Sequence, residues 1–375
     1  MSSRDFVRSL PGGSLPAVKR LNNMHLDPLL LLTLLVVIAF GLVVLYSALG
    51  KDMTILDGQI IRMIFAIVIM VVAAQFEPGV YLRWTPVLYA VGMVLLVAVL
   101  AIGVTVKGSQ RWLEVPGLPR FQPSEIMRIA VPLMVAWYLN DRPLPPSLFN
   151  LAVALVIIAV PAALIAKQPD LGTGILVASA GLAVIVLAGL QWRLIALAGL
   201  AAAAALPGLW FVMRDYQRDR ILTLFDPERD PLGAGWNIIQ STTAIGSGGV
   251  FGKGLFEGTQ SHLDFLPEGQ TDFIIAVVAE ELGLVGVITL LVLYLVIIAR
   301  GLYIATQARQ TFGRLTAGGL TLTFFVYAFV NIAMVSGLLP VVGVPLPLVS
   351  YGGTSAITLL AGFGIVMSIY THRGW

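Results

Sequence analysis

Asp272 is the first candidate for chemistry in this sequence, because a carboxylate stands where a long apolar segment begins. In Gln270-Thr271-Asp272-Phe273, one interpretation is purely structural. Thr271 would cap a helix, and Asp272 would be a first-turn acid stabilised by the helix dipole. The other interpretation is a catalytic carboxylate held at a membrane surface. The residue types and their spacing leave both interpretations open.

Two adjacent acids, Glu280 and Glu281, follow deeper in the same apolar segment. Charged side chains inside a membrane span are costly and usually functional. Successive residues of a helix point about 100° apart, so the two carboxylates need separate partners. Coupling to an ion and structural hydrogen bonding are equally compatible with this pattern.

Basic and polar side chains that could bind an anion occur at several other positions. In Arg111-Trp112, an arginine could hold phosphate oxygens and an indole could stack on a sugar, although an interfacial aromatic anchor has the same appearance. Glu125 and Arg128 are three residues apart and can pair on one face of a helix. The pair is either an ordinary ion pair or the lining of a cavity.

Three further segments carry candidate polar groups. Gln168-Pro169-Asp170 predicts a turn, and the charged stretch that holds Gln217 and Arg220 is either a solvated surface or a site for a lipid pyrophosphate. The Gly-rich stretch that ends in Gly252-Lys253-Gly254 resembles a phosphate-binding loop. It has Ser247 where a nucleotide-binding loop needs its first glycine, and Gly254 where Ser or Thr should follow the lysine. We therefore expect no nucleotide to bind there.

The elements that would position these groups are membrane helices. About 20 apolar residues cross a bilayer as a helix, and ten stretches fit: 28–49, 60–76, 85–106, 123–140, 148–166, 172–189, 193–213, 272–299, 315–339 and 351–370. We predict a single ten-helix membrane domain over 28–375, after a tail over 1–27. The polar, Gly-rich segment 214–271 is predicted to be a large extracytoplasmic loop between helices seven and eight, since long loops are usually functional.

Composition supports a membrane protein and excludes several other classes. The 375 residues are 58% hydrophobic and 11% charged, against about 45–50% and 25% in soluble domains. With no cysteine and three scattered histidines, disulfides, thiolate metal sites and cysteine nucleophiles are excluded, and a Ser-His triad is not expected. Basic residues outnumber acids in the termini and in the loops on their side. Both termini are therefore predicted to be cytoplasmic, and nucleic-acid binding is not expected.

Long ungapped motifs give the chain a close resemblance to a known family. Examples are Asp226-Pro227-Glu228 with 230–236, and Pro345-Leu346-Pro347-Leu348-Val349-Ser350-Tyr351-Gly352-Gly353. Over essentially its whole length, the chain resembles the SEDS family (shape, elongation, division and sporulation). The resemblance implies an all-α fold of ten transmembrane helices. It also implies a peptidoglycan glycosyltransferase that polymerises lipid II at the outer face of the cytoplasmic (inner) membrane during side-wall elongation.

The resemblance also implies roles for individual residues. Asp272 matches the essential aspartate of the family, which makes it the candidate catalytic residue. Arg128 occupies a position where the family usually has lysine, and the two are not equivalent at a tight anion site. The candidate residues for binding substrate or its pyrophosphate are Arg111, Trp112, Glu125, Arg128, Asp170, Gln217, Arg220, Lys253 and Ser350.

The mechanism that we expect is an inverting sugar transfer, with Asp272 as general base or as ligand of a helping metal. A Mg²⁺ or Mn²⁺ ion shared with the substrate pyrophosphate is expected rather than a dedicated protein site. The resemblance implies a class B penicillin-binding protein and the elongation proteins MreB, MreC and MreD as partners. A lipid II flippase and a scaffold without activity are the alternatives. Glycan formation in detergent distinguishes an enzyme from a flippase, because detergent leaves no membrane to cross.

Overall fold

Each of the ten predicted apolar stretches forms a helix in the computed structural model. The structure describes residues 24–106, 109–114, 120–213, 215–230, 233–262 and 268–372. Most of the predicted tail, 1–27, therefore lies outside the described residues. The ten helices are α1 (Pro28–Ala48), α2 (Met53–Gln75), α3 (Pro78–Ile102), α4 (Pro123–Asn140), α5 (Leu148–Lys167), α6 (Leu171–Leu187), α7 (Trp192–Val212), α10 (Ile274–Gln307), α11 (Thr311–Val335) and α12 (Gly353–Thr371); α8 and α9 lie between α7 and α10.

Seven of the described helices are long and apolar enough to cross a membrane by length and composition: α1, α2, α3, α5, α10, α11 and α12. The chain is therefore a multi-pass membrane protein. Of the other three, α6 has 17 residues, and α4 carries Glu125 and Arg128 in its first two turns. The third, α7, is largely exposed at the side chains that the structure describes.

The buried carboxylate of Asp27 and the partly buried guanidinium of Arg300 form an ion pair that joins α1 to α10. The carboxylate of Asp27 accepts the backbone N–H of Leu30 at 2.8 Å, and it therefore caps α1. It also accepts two hydrogen bonds from Arg300 of α10, at 3.1 Å from Nε and 2.6 Å from Nη2. The Arg300 guanidinium lies over the ring of Tyr370 in α12, 4.9 Å from its centroid. One arginine thus ties three helices together at this end of the bundle.

A short β-hairpin corrects the all-α prediction. The third predicted span, 85–106, extends beyond the helix, because α3 ends at Ile102 and Gly103 follows. Strands β1 (Val104–Val106) and β2 (Ser109–Trp112) then pair antiparallel. The β-branched run Val104-Thr105-Val106 favours a strand over a continued helix. This hairpin carries Arg111 and Trp112.

The segment predicted as a large extracytoplasmic loop, 214–271, contains regular structure. Helices α8 (Asp215–Phe225) and α9 (Ala234–Gly248), a 3₁₀ turn (Pro227–Arg229) and a helical turn (Thr259–His262) lie within it. Asp230 organises one junction, because its carboxylate accepts the N–H of Ala234 at 2.8 Å. Gln217 and Arg220 lie on α8, and thus on a helix rather than on an irregular loop.

The Gly-rich stretch after α9 packs backbone to backbone against α10. Gly283 interrupts α10 with φ 64° and ψ −162°. Around this break, the N–H groups of Lys253 and Gly254 donate to the carbonyls of Glu280 and Glu281, at 3.0 Å each. A Cβ on Gly252 would lie 2.1 Å from the carbonyl oxygen of Glu281. The glycines therefore serve a close backbone approach, which explains a glycine pattern that resembles a phosphate loop.

Replacing Gly283 by alanine should destabilise the protein strongly. Its positive φ is unfavourable for any residue with a side chain, at a cost of about 1–3 kcal/mol. In addition, a Cβ there would lie 2.3 Å from the backbone nitrogen of Gly252. The melting temperature of Gly283→Ala in detergent should fall by several degrees, by the rough scaling of about 2–4 °C per kcal/mol for large domains.

Gly246→Ala is the matched control for this substitution. Gly246 lies in α9, and a Cβ there would meet nothing within 4 Å. The control should melt at the wild-type temperature or slightly above it, since alanine favours helix over glycine. A wild-type melting temperature for Gly283→Ala would contradict the proposed close packing.

Candidate functional site

Asp272 lies in a turn over residues 268–273, immediately before α10. The capping interpretation of this segment is wrong in its details. Phe273 occupies the N-cap position and the first turn of α10 contains no acid. The hydroxyl of Thr271 donates to the carboxylate of Glu268 at 2.8 Å instead of capping the helix. Asp272 therefore lies outside the helix. Its side chain is partly exposed.

Three consecutive carbonyl groups around Asp272 each accept a hydrogen bond from a neighbouring element. The carbonyl of Gln270 accepts from the N–H of Tyr351 at 2.9 Å. That of Thr271 accepts from the hydroxyl of Ser350 at 2.5 Å, and that of Asp272 from the side-chain amide of Asn331 at 2.7 Å. The position of the turn is thus set by α11 and by the segment that leads into α12.

Ser350 has a structural contact on both sides of its hydroxyl. Besides donating to Thr271, the hydroxyl accepts the N–H of Leu346 at 2.8 Å, and the residue is buried. This geometry links the Pro-rich loop 340–347 to the turn that carries Asp272. A direct contact of Ser350 with substrate remains a prediction.

A cavity of about 210 Å³ adjoins the same Pro-rich loop. Gln217 and Arg220 of α8 supply its polar lining, and the rest is mainly apolar: Leu171, Gly172, Ile175, Met213, Ile221, Pro340 and Val342. Val342 is followed by Gly343, where a Cβ would lie 3.3 Å from the Asp272 carboxylate. The cavity and the carboxylate therefore lie against neighbouring residues of one loop.

Arg111 and Asp170, predicted independently, form an ion pair. Arg111 Nη1 lies 3.3 Å from Asp170 Oδ2, and the side-chain amide of Gln122 donates to the same oxygen at 3.0 Å. The other carboxylate oxygen caps α6 by accepting the N–H of Thr173 at 3.2 Å. Asp170 is buried, but Arg111 is partly exposed. Arg111 therefore retains access to an external anion, next to the partly exposed Trp112.

The predicted pair of Glu125 and Arg128 is confirmed and buried. Arg128 Nη1 lies 2.5 Å from Glu125 Oε2, and the same nitrogen donates to the hydroxyl of Ser355 at 2.9 Å. Thr358 donates to Glu125 at 3.2 Å, and the guanidinium lies 4.5 Å from the ring centroid of Tyr327. Both residues are buried, so this ion pair lies inside the helix bundle. A small cavity of about 20 Å³ adjoins Arg128.

Glu280 holds the Gly-rich stretch after α9 and the helical turn Thr259–His262 by side-chain bonds as well as by its backbone. Its Oε1 accepts from Lys253 Nζ at 2.8 Å, from the hydroxyl of Thr259 at 3.1 Å and from the N–H of Gln260 at 2.9 Å. These contacts support structural hydrogen bonding over ion coupling. They also neutralise Lys253, whose predicted role at a pyrophosphate remains untested.

Glu281 points to a different neighbour, as its helical spacing from Glu280 requires. Its Oε1 accepts from the hydroxyl of Ser47 in α1 at 2.8 Å. The same hydroxyl accepts the N–H of Phe256 at 2.9 Å. The two acids therefore fasten the chain that follows α9 to α10 and α1 at separate points.

Asn331 and Arg62 are polar residues near the Asp272 turn that are not among the candidates predicted from the sequence. Asn331 lies in the apolar helix α11 and contacts the Asp272 turn. Arg62 lies within α2, with its guanidinium 5.0 Å from the ring centroid of Tyr351. A strongly polar side chain, an amide or a guanidinium, inside an apolar span is the signal available for both. Among the described residues, no group of three or more His, Asp or Glu side chains could hold a metal ion.

Comparison with known proteins gives consistent matches over nearly the whole chain. The family model of the FtsW, RodA and SpoVE cell cycle proteins matches residues 26–374. Peptidoglycan glycosyltransferase MrdB of Escherichia coli K12 is 59% identical over 353 residues, which cover 94% of this chain and 95% of that protein. A probable peptidoglycan glycosyltransferase FtsW of Geobacter metallireducens is 37% identical, covering 92% and 95%.

Solved structures match the fold as well. A chain from a peptidoglycan synthase complex, studied for the coordination of polymerization and crosslinking, superposes with a TM-score of 0.81 at 30% identity, covering 93% of this chain and 98% of that one. The rod shape determining protein RodA of Thermus thermophilus superposes with a TM-score of 0.71 at 28% identity, covering 93% and 98%.

Proposed function

Because the chain belongs to the SEDS family of FtsW, RodA and SpoVE proteins, we propose that Asp272 and the adjoining cavity form the active site of a lipid II polymerase. The chain is a peptidoglycan glycosyltransferase that acts in cell elongation. The observation that carries this conclusion is 59% identity to the glycosyltransferase MrdB over 94% of the chain. The assignment of the reaction to Asp272 is supported by its position beside the cavity.

In the proposed reaction, the 4-hydroxyl of N-acetylglucosamine in lipid II attacks C1 of N-acetylmuramic acid at the end of the growing chain. A bond forms from the hydroxyl oxygen to C1, and the bond from C1 to the pyrophosphate oxygen breaks with inversion. Asp272 accepts the hydroxyl proton, and undecaprenyl pyrophosphate leaves with the electron pair. A positioned general base of this kind typically contributes a factor of about 10²–10⁴.

Arg220 and Arg111 are the best-placed cations for the pyrophosphate. Arg220 lines the cavity and is exposed, and Arg111 remains partly exposed beside Asp170. Preorganised cations of this kind stabilise charge that develops on a leaving group. Arg128 is buried with Glu125, and the Lys253 ammonium bonds both Glu280 and Thr259, so we assign these two residues a supporting role. The mainly apolar lining of the cavity suits the start of a polyprenyl chain.

A divalent cation would come with the substrate rather than from the protein. Mg²⁺ commonly binds through one or two carboxylates together with substrate phosphates. The described residues offer no cluster of three acidic or histidine side chains, and the proposed reaction has no step at a metal held by the protein alone. The pyrophosphate itself would supply the remaining oxygen ligands for Mg²⁺ or Mn²⁺.

Partners and membrane orientation follow from the same proposal. We infer a class B penicillin-binding protein as the crosslinking partner, with MreB, MreC and MreD in the same elongation complex. The proposed location is the cytoplasmic membrane, with both termini inside and the segment 214–271 outside. All ten long helices would then cross the bilayer, including α4, α6 and α7.

A lipid II flippase is the alternative. Its support in the sequence is the ten helices, the spans broken by proline and the intramembrane acids Glu280 and Glu281. The contacts of Glu280 with Lys253 and of Glu281 with Ser47 give both acids a structural task. This weakens the case for a transporter, whose site is typically near the membrane midplane.

Detergent-solubilised protein should make glycan when it is purified with its class B partner and given lipid II. The partner's transpeptidase would be blocked with a β-lactam, and products would be separated by gel electrophoresis. A flippase would make no polymer under these conditions. A parallel sample with EDTA should make less product if a divalent cation accompanies the pyrophosphate. Absence of glycan in every sample would favour the flippase.

A further inference from the structure

Asn331 connects the turn that carries Asp272 to the Pro-rich loop beside the cavity. Its side-chain amide donates to the carbonyl of Asp272 at 2.7 Å and to the carbonyl of Val344 at 2.6 Å. Both hydrogens of one NH₂ group are thus used, each on a different segment. Asn331 itself is fully buried, with 0% of its side chain exposed. One buried amide therefore bonds both segments, next to the link that the Ser350 hydroxyl makes between Thr271 and Leu346.

The Asp272 turn depends on such external bonds because it lies outside α10. A residue within a helix is held by the backbone ladder, but Asp272 precedes the helix and its carbonyl is paired with a side chain. The Pro-rich loop also relies on the bond, because Val344 lies in a segment without regular secondary structure. Gly343, next to Val344, is the residue at which a Cβ would lie 3.3 Å from the Asp272 carboxylate.

We propose that Asn331 is a positioning residue for catalysis, which holds the Asp272 carboxylate in register with the loop that borders the cavity. This inference rests on the proposed role of Asp272. Displacing a reacting group by about 1 Å can cost a factor of about 10² in rate. Loss of the amide removes the bonds at Asp272 and Val344, while the Ser350 hydroxyl still holds Thr271 and Leu346. The Asp272 carboxylate can then shift relative to the loop, so the chemical step should suffer more than substrate binding.

The test compares Asn331→Leu and Asn331→Ala with wild type in the detergent polymerisation assay. We expect kcat to fall by about 10- to 100-fold, while KM for lipid II stays close to wild type. The melting temperature should fall by only a few degrees, because two carbonyls lose a buried donor but the fold is retained. Thr323→Val is the matched control. Thr323 is also buried in α11, and its hydroxyl bonds within the helix to the carbonyl of Gly319. The control should retain wild-type kcat and KM.

The outcomes separate this inference from the proposed function. If Asp272→Asn is inactive while both Asn331 variants have wild-type kcat, the positioning role is wrong and the role of Asp272 stands. If both Asn331 variants lose folding or substrate binding together with activity, Asn331 is merely structural and the inference is wrong. If Asp272→Asn keeps full activity, the proposed role of Asp272 fails and the inference fails with it.

Discussion

Replacing Arg128 by methionine should destabilise the protein by about 3–5 kcal/mol, because it leaves the Glu125 carboxylate buried without its cation. Only 5% of Arg128 and 6% of Glu125 are exposed. Replacing both residues, as in Glu125→Gln with Arg128→Met, should cost much less, since no uncompensated charge remains. The measurement is the unfolding free energy or melting temperature of each purified variant in the same detergent.

An exposed ion pair provides the control for the Arg128 prediction. The side chains of Arg120 and Glu114 are 53% and 49% exposed, and their charged atoms lie 3.3 Å apart. Exposed pairs contribute little to stability, so Arg120→Met should melt with wild type. Arg128→Lys keeps the charge and should be milder than Arg128→Met, although lysine lacks the planar guanidinium that also contacts Ser355 and Tyr327. Equal stability of Arg128→Met and Arg120→Met would contradict a buried, coupled pair.

Local patterns were enough to predict the ten long helices and two short-range contacts. Hydrophobic runs of sufficient length must become helices in a bilayer, because the backbone there has no other way to satisfy its hydrogen bonds. The pair of Glu125 and Arg128 also follows from spacing alone, because residues three apart share one face of a helix. The cap that Asp170 provides for α6 lies in the predicted Pro-Asp turn.

Contacts between distant segments could not be predicted in the same way. Glu280 pairs with Lys253, and Glu281 with Ser47, through loop packing that no local periodicity encodes. Gly252 belongs to a stretch with the composition of a phosphate loop, but the backbone of Glu281 and Leu282 occupies the space beside it. Thr271 has the residue type of a helix cap, yet a nearby acid, Glu268, binds its hydroxyl. Asn331 bonds to carbonyls 59 and 13 residues away.

Replacing Asp272 by asparagine should lower the rate of lipid II polymerisation by about 10²-fold or more, the contribution expected of a general base. Asparagine has nearly the same size, and the bonds from Tyr351, Ser350 and Asn331 reach backbone carbonyls of the turn, which the substitution keeps. The fold and the affinity for lipid II should therefore remain close to wild type. The expected signature is a large loss in kcat with an almost unchanged KM.

Asp57→Asn is the control for a general effect of removing an acid. Asp57 is an exposed carboxylate in α2 and has no assigned role in the reaction, so its variant should polymerise at the wild-type rate. Melting temperatures of both variants should match wild type within a few degrees. A poorly folded Asp272→Asn protein would show itself by a lower melting temperature and by weak binding of lipid II.

The most direct measurement of the central claim is the initial rate of glycan formation by wild type and Asp272→Asn, side by side in detergent. Both would be purified with the same class B partner, its transpeptidase blocked, and supplied with the same lipid II. Our account predicts polymer from the wild type and a rate lower by about 10²-fold or more from the variant. Equal rates of glycan formation by the two proteins would contradict it.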